Sequence, residues 1–210
     1  MKTIQQLFGP HAPIIAVITL NDKESALPIA EALMKGGITL LEITLRTPFG
    51  LAAIESIKKN IPDLCVGAGT LTKGEQFLSV KDAGAEFAVS PGFTPHLVRT
   101  ACQAKLPFLP GVITPSEIIS AMEGGLSHLK FFPAEKSGGI AYLDNLAGPF
   151  PDISFCPTGG ITNLNYQNYL SSKNVFCVGS TWLTPPEIIH DKNWKEVEQR
   201  AKLLSISKKP

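Results

Sequence analysis

The chain has 210 residues, 44% of them hydrophobic, which is enough to bury one sizeable core, and residues 1–210 read as a single domain. Its 19 basic and 18 acidic residues nearly cancel, and apart from a solvated Lys208-Lys209 end the basic ones are scattered, which excludes a nucleic-acid footprint. Cys65, Cys102, Cys156 and Cys177 form no Cys-x-x-Cys pair and have no neighbouring histidine cluster, so reduced cysteines in a cytoplasmic protein are expected.

Along the chain, a short N-terminal helix comes first, on a stretch that lacks the form of a signal peptide. The apolar stretch 14–20 is too short to span a bilayer and runs into Asn21-Asp22-Lys23-Glu24, so no membrane association is expected. Short apolar runs recur at 14–19, 40–44, 64–68, 87–90, 108–112, 128–131, 154–156 and 175–178. Their spacing is close to the length of one strand–helix unit. Helical patterns lie between them at 24–35, 49–59, 73–83, 95–104 and 115–123, and a final helix is predicted at 194–204. Glycines close several of these helices, as at Gly36-Gly37, Gly84 and Gly124-Gly125. Eight such units without a linker predict a (β/α)₈ barrel at the short end of that fold's size range. The structural alternative is an open doubly wound sheet, but Thr19-Leu20-Asn21-Asp22 stands where its glycine-rich turn would follow the first strand.

Lys130 lies inside the apolar run Leu129-Lys130-Phe131-Phe132-Pro133. Burial disfavours an ammonium, so a lysine there finds a partner, snorkels to the surface or loses its proton, and a neutral buried amine is a nucleophile toward ketones. In the second run, Leu40-Leu41-Glu42-Ile43-Thr44-Leu45-Arg46, a period of two puts Glu42, Thr44 and Arg46 on one face. The apolar face meets the helices, which turns Glu42 and Arg46 toward the barrel axis, either as a structural ion pair or as working groups. By the same parity His128, Lys130 and Phe132 share a face, so Lys130 and Glu42 are expected to converge. Arg46 is then nearer the mouth and His128 in a lower layer. A carboxylate beside a neutral lysine is placed to shuttle protons.

Barrel sites form at the C-terminal ends of strands. There the third run ends Gly67-Ala68-Gly69-Thr70 and the fourth Val89-Ser90-Pro91-Gly92. After the seventh comes Pro157-Thr158-Gly159-Gly160, and after the eighth Gly179-Ser180-Thr181. Glycine- and hydroxyl-rich loops in these last two positions suit phosphate, held by bare amides, although ordinary turns would look alike. His11, His96, His128 and His190 are dispersed, with no metal-ligand spacing, so no metal is expected. Three activities fit the residues: a Schiff-base aldolase, a sugar-phosphate isomerase or epimerase with Glu42 as base, and a non-catalytic phosphosugar-binding barrel.

The runs Leu41-Glu42-Ile43-Thr44-Leu45-Arg46-Thr47, Val66-Gly67-Ala68-Gly69-Thr70, Ser90-Pro91-Gly92, Leu129-Lys130-Phe131-Phe132-Pro133-Ala134-Glu135 and Phe155-Cys156-Pro157-Thr158-Gly159-Gly160-Ile161 closely resemble the bacterial 2-keto-3-deoxy-6-phosphogluconate (KDPG) aldolases, which also act on 4-hydroxy-2-oxoglutarate. The resemblance runs from about Pro13 to Trp182 with the motifs in order. It implies a class I aldolase of the Entner–Doudoroff pathway, a homotrimer of (β/α)₈ barrels that needs no cofactor and acts on a small phosphorylated 2-keto acid. Carried over by motif, Lys130 forms the Schiff base and Glu42 is the general acid/base. Arg46 and Thr70 take the pyruvate carboxylate, and Pro91 and Phe132 pack around the reacting carbons. Thr158, Gly159, Gly160, Gly179, Ser180 and Thr181 surround the phosphate. One departure stands out: Gly179-Ser180-Thr181 occupies a place where Gly-Gly-Ser is common, which bears on the preference for phosphorylated substrates. The C4 epimer, in the galactonate series, is an alternative substrate.

Overall fold

The structure is a computed structural model that describes residues 2–9, 11 and 13–205, so the Lys208-Lys209 end lies outside the described residues. Helix α1 (Ile4–Phe8) opens on a capping box between Thr3 and Gln6. Strands and helices then alternate as β1 (Ile14–Ile18), α2 (Ala26–Lys35), β2 (Leu40–Thr44), α3 (Gly50–Asn60), β3 (Cys65–Gly69), α4 (Gln76–Asp82) and β4 (Phe87–Val89). Next come α5 (Pro95–Ala104), β5 (Phe108–Leu109), β6 (Gly111–Val112), α6 (Pro115–Glu123), β7 (His128–Phe131) and α7 (Gly139–Leu146). The series ends with β8 (Ser154–Pro157), α8 (Tyr166–Ser171), β9 (Val178–Ser180), α9 (Pro186–His190) and α10 (Trp194–Ser205). Among the described residues, no helix is long and apolar enough to cross a membrane.

All strand pairings are parallel. One sheet has the order β5-β4-β3-β2-β1-β9 and the other β6-β7-β8. The expected fifth strand is split in two at Pro110, which has no N–H to give to a ladder. Its carbonyl still accepts from Lys130 N at 2.8 Å, so the chain keeps its course between the sheets. On the other side, single parallel bridges at Phe155–Val175 and Thr158–Gly179 link β8 to the segment that becomes β9. The result is an α/β fold whose parallel strands curl as in a barrel wall, with the helices outside.

Several boundaries differ from the sequence expectation. The eighth strand was expected at 175–178 but runs Val178–Ser180, because pairing with β1 sets its position and Val178 lies opposite Ile14. The helix expected from 24 starts at Ala26, since Asp22 accepts from Ser25 N at 2.7 Å and holds a turn ahead of it. The one expected from 73 starts at Gln76, whose side-chain oxygen accepts from the amides of Thr72 and Lys73.

Two apolar cores follow from the alternation of the strands. Ala16, Ile18, Leu41, Ile43, Leu129 and Phe131 pack outward against the helices. Ile15, Val17, Leu40, Phe87 and Leu109 point inward and meet Ile4, Leu7 and Phe8 of α1. The Phe8 ring stands edge-on to Phe87 at 4.8 Å between centroids. Gly67 makes room for this contact, because a Cβ there would sit 2.3 Å from the Phe87 ring. Helix α1 therefore closes the interior at the N-terminal ends of the strands.

Candidate active site

Glu42 has the parity of inward-facing Leu40, and Lys130 lies between outward-facing Leu129 and Phe131. Both polar side chains consequently point inside, from strands 88 positions apart in sequence. Lys130 Nζ lies 3.3 Å from Glu42 Oε1 and 3.5 Å from Oε2. Glu42 is 1% and Lys130 4% exposed. Two charges there would each cost several kcal/mol unpaired, so the contact offsets a large penalty. It is longer than the about 2.8 Å of a tight charge-assisted bond. By comparison, the surface pair Lys58–Glu86 closes to 2.7 Å. The inner pair is held together without being locked.

Two glycine positions explain the placement of this pair. A Cβ on Gly69 would fall 2.1 Å from Glu42 Oε1, so β3 must be bare where the carboxylate rests. A Cβ on Gly111 would meet the Pro91 carbonyl at 2.3 Å, so β6 is bare where the Ser90-Pro91-Gly92 turn packs. That turn is fixed by Ser90 Oγ, which donates to Gly92 O at 2.5 Å. Pro91 is exposed at the mouth. The Phe132 ring lies 5.2 Å from Lys130 Nζ, a cation–π distance.

Above the pair, Arg46 Nε donates to Thr70 Oγ1 at 3.3 Å, as the shared mouth position of these residues predicts. Thr70 has φ 66°, a left-handed conformation that a β-branched residue rarely adopts. Such strain costs on the order of 1–3 kcal/mol and collects at functional sites. Thr44 Oγ1 lies 2.8 Å from Thr19 Oγ1, which adds a hydroxyl pair nearby. The arrangement offers a guanidinium and several hydroxyls above a buried amine and carboxylate.

The two glycine-rich loops lie side by side. Thr158 is buried, and Gly159 and Gly160 follow with φ of 100° and 82°, a course suited to residues without Cβ. Thr181 is exposed, whereas Gly179 and Ser180 are buried. Glu135 and Tyr169 had no expected role. Glu135 N donates to Gly159 O at 3.1 Å, its side chain covers Gly160, and its carboxylate accepts from the Tyr169 hydroxyl. Burial, then the hydrogen bond to Glu135 and its charge, push the Tyr169 hydroxyl's pKa up. The two are 34 positions apart, so only the fold pairs them.

His128 sits away from this site, as its parity and position in β7 predict. Its ring stands edge-on to Phe176 at 4.9 Å, and burial lowers its pKa. Cys65, Cys156 and Cys177 are buried, and Cys102 is exposed. Burial, with the nearby Glu86 charge, pushes the Cys65 thiol up to about 12. Among the described residues, no group of three or more His, Cys, Asp or Glu is placed to hold a metal ion.

Residues 8–200 match the family model described as KDPG and KHG aldolase. The chain belongs to this family. The 2-dehydro-3-deoxy-phosphogluconate aldolase of Dickeya dadantii is 45% identical over 201 residues, 96% of this chain and 94% of that one. The KDPG aldolase of Legionella pneumophila, solved with pyruvate captured as a covalent carbinolamine, superimposes with a TM-score of 0.90 at 44% identity, covering 92% of this chain and 94% of that one. The KDPG aldolase of Zymomonas mobilis ZM4, solved with 3-phosphoglycerate, gives 0.92 at 38% identity, covering 99% and 98%. These relatives are named aldolases, and the Legionella pneumophila enzyme is the one described with covalently captured pyruvate.

Proposed function

We propose that this protein is a class I aldolase that cleaves KDPG to pyruvate and glyceraldehyde 3-phosphate, and 4-hydroxy-2-oxoglutarate to pyruvate and glyoxylate. The observation that carries the reading is the convergence of Lys130 Nζ and Glu42 in the buried interior at 3.3 Å, in a chain of this family. Lys130, as the free amine, attacks the C2 carbonyl. Glu42 relays protons while the carbinolamine loses water to form the protonated imine. Glu42 then takes the C4 hydroxyl proton. The C3–C4 electron pair flows into the imine, giving an enamine, and the aldehyde leaves. The enamine takes a proton at C3, and water adds to the resulting imine to release pyruvate and the amine.

Arg46 and Thr70 hold the substrate carboxylate through charge-assisted bonds, and Pro91 and Phe132 flank the reacting carbons. The amides of Gly159 and Gly160, the Thr158 neighbourhood, Gly179 and Thr181 hold the phosphate, in the position where barrels commonly place one, while Ser180, expected at the phosphate, gives its hydroxyl to Ile161 O instead. The chain is proposed as one domain in which both sheets close into a (β/α)₈ barrel. Supporting that closure are the Pro110 continuity between β5 and β6 and the two bridges from β8 toward β9. A cytoplasmic homotrimer is part of the proposal on family grounds, and light scattering would return about three times the 22.5 kDa chain mass.

The test is pyruvate release from KDPG, from its C4 epimer and from 4-hydroxy-2-oxoglutarate, by the wild type and by Lys130→Ala. The wild type is expected to turn over KDPG and Lys130→Ala to show no cleavage while retaining its fold. Full turnover by Lys130→Ala would remove the Schiff-base reading.

A further inference from the structure

We propose that Ser180 is a positioning residue that sets the preference for a phosphorylated over an unphosphorylated 2-keto acid, by tying the loop after β9 to the loop after β8. The inference rests on the aldolase reading above and refines its phosphate end.

Strand alternation decides where the Ser180 side chain goes. Cys177 belongs to the inner core and Val178 to the outer one, so Gly179 faces in and Ser180 faces out. The inward position is the crowded one, since a Cβ on Gly179 would lie 2.4 Å from Thr158 Oγ1. Ser180 therefore adds its hydroxyl behind the wall, at 1% exposure, without crowding the anion. There its Oγ donates to Ile161 O at 2.7 Å and accepts from Trp182 N at 3.2 Å.

These bonds continue a connection that the backbone drops. The last bridge between the two segments is Thr158–Gly179. Beyond it the chain bulges through Gly159 and Gly160, both at positive φ, and contact resumes at Ile161 through the Ser180 hydroxyl. The two-glycine bulge is pinned at both ends. Ser180 is itself anchored on the other side, where it pairs with Ala16 of β1. Trp182 is anchored as well, because Arg200 Nη1 donates to its carbonyl at 2.8 Å and the guanidinium stacks 4.6 Å from its ring.

Thr181, the exposed residue between these two anchors, is thereby fixed relative to Gly159 and Gly160. A site whose donors are spaced before the ligand arrives avoids the entropy of ordering them on binding. A glycine or alanine at 180 removes both bonds and leaves the Ile161 carbonyl without this donor. A substrate lacking the phosphate has no such group for these donors to hold, so the change is expected to register only for the phosphorylated one.

The experiment measures kcat and KM for KDPG and for 4-hydroxy-2-oxoglutarate in the wild type, Ser180→Ala and Ser180→Gly, with melting temperatures recorded for each. Two lost hydrogen bonds of ordinary net strength predict that the ratio of kcat/KM for the two substrates falls about tenfold, through KM for KDPG. If Ser180→Ala does not fold, Ser180→Gly, which removes Cβ along with the hydroxyl, carries the same comparison. An unchanged ratio overturns the proposal. So does an equal fall for both substrates, which marks a general structural role. A wild type with no preference between the substrates overturns the phosphate reading itself, a result separable from the others because it is seen before any variant is made.

Discussion

At the N-terminal ends of the strands, inward positions carry Ile15, Leu40, Cys65 and Phe87 and are sealed by Ile4, Leu7 and Phe8. Toward the C-terminal ends, the same faces carry Glu42, Thr44, Lys130 and Thr158, flanked by Gly69 and Gly179. One alternation thus builds an apolar plug below and a polar chamber above. The lower end makes ordinary hydrophobic contacts and contributes stability. The upper end contains the buried Lys130–Glu42 pair and the left-handed Thr70, features that cost free energy. A division of this kind, with stability at one end of the strands and chemistry at the other, is the arrangement expected of a barrel enzyme.

The comparison can be broken most severely at the upper end. Glu42→Gln keeps the shape and removes the proton shuttle, and kcat is expected to fall by about 10² to 10⁴. Unchanged turnover would remove Glu42 from the mechanism. Gly69→Ala is subtler. The clashing atoms, Oε1, Cδ and Cγ, all belong to the Glu42 side chain and none to the backbone, so the carboxylate yields rather than the strand. Melting temperature is therefore expected to change little while kcat drops on the order of 10²-fold, the usual effect of misplacing a working group by about 1 Å. A large loss of stability with normal kcat would show that the strand had moved instead.

The lower end should respond in the opposite sense. Phe8→Ala removes a buried ring and its contact with Phe87, and denaturant unfolding is expected to show a loss of about 3 kcal/mol with kcat nearly intact. A fall in kcat without one in stability would mean that the plug communicates with the site. The smallest effect concerns His128. Burial lowers its folded pKa below the ordinary 6.5, so the unfolded chain binds more protons in that window. Its stabilising contribution is present above about pH 6.5 and is lost as pH falls through the lowered folded value. A His128→Gln variant should flatten the dependence of melting temperature on pH below about 6.5.

How much was legible in the sequence differs between these ends. The convergence of Glu42 and Lys130 followed from period-two parity in two short strands, because polar residues among Leu, Ile and Phe leave only one face for them. The helices at 95–104 and 115–123 were equally plain, each opening on a threonine cap and a proline. Hydrophobic runs did not show that Pro110 divides a strand or that β9 starts at Val178, since ladder geometry and pairing with β1 decide those points. Pairing with β1 also brings Ser180, opposite Ala16, into the end of the strand rather than the loop after it. The Glu135–Tyr169 bond left no local trace, because side chains far apart in sequence meet only once β7, β8 and α8 are in place.

The central claim is that Lys130 forms a covalent imine with the keto acid. The protein should be incubated with pyruvate, reduced with borohydride, digested, and the adduct located by peptide mass spectrometry. A reduced pyruvyl adduct on Lys130, diminished in Glu42→Gln, is the predicted result. No adduct in folded protein that binds pyruvate, or an adduct confined to another lysine, would contradict the account.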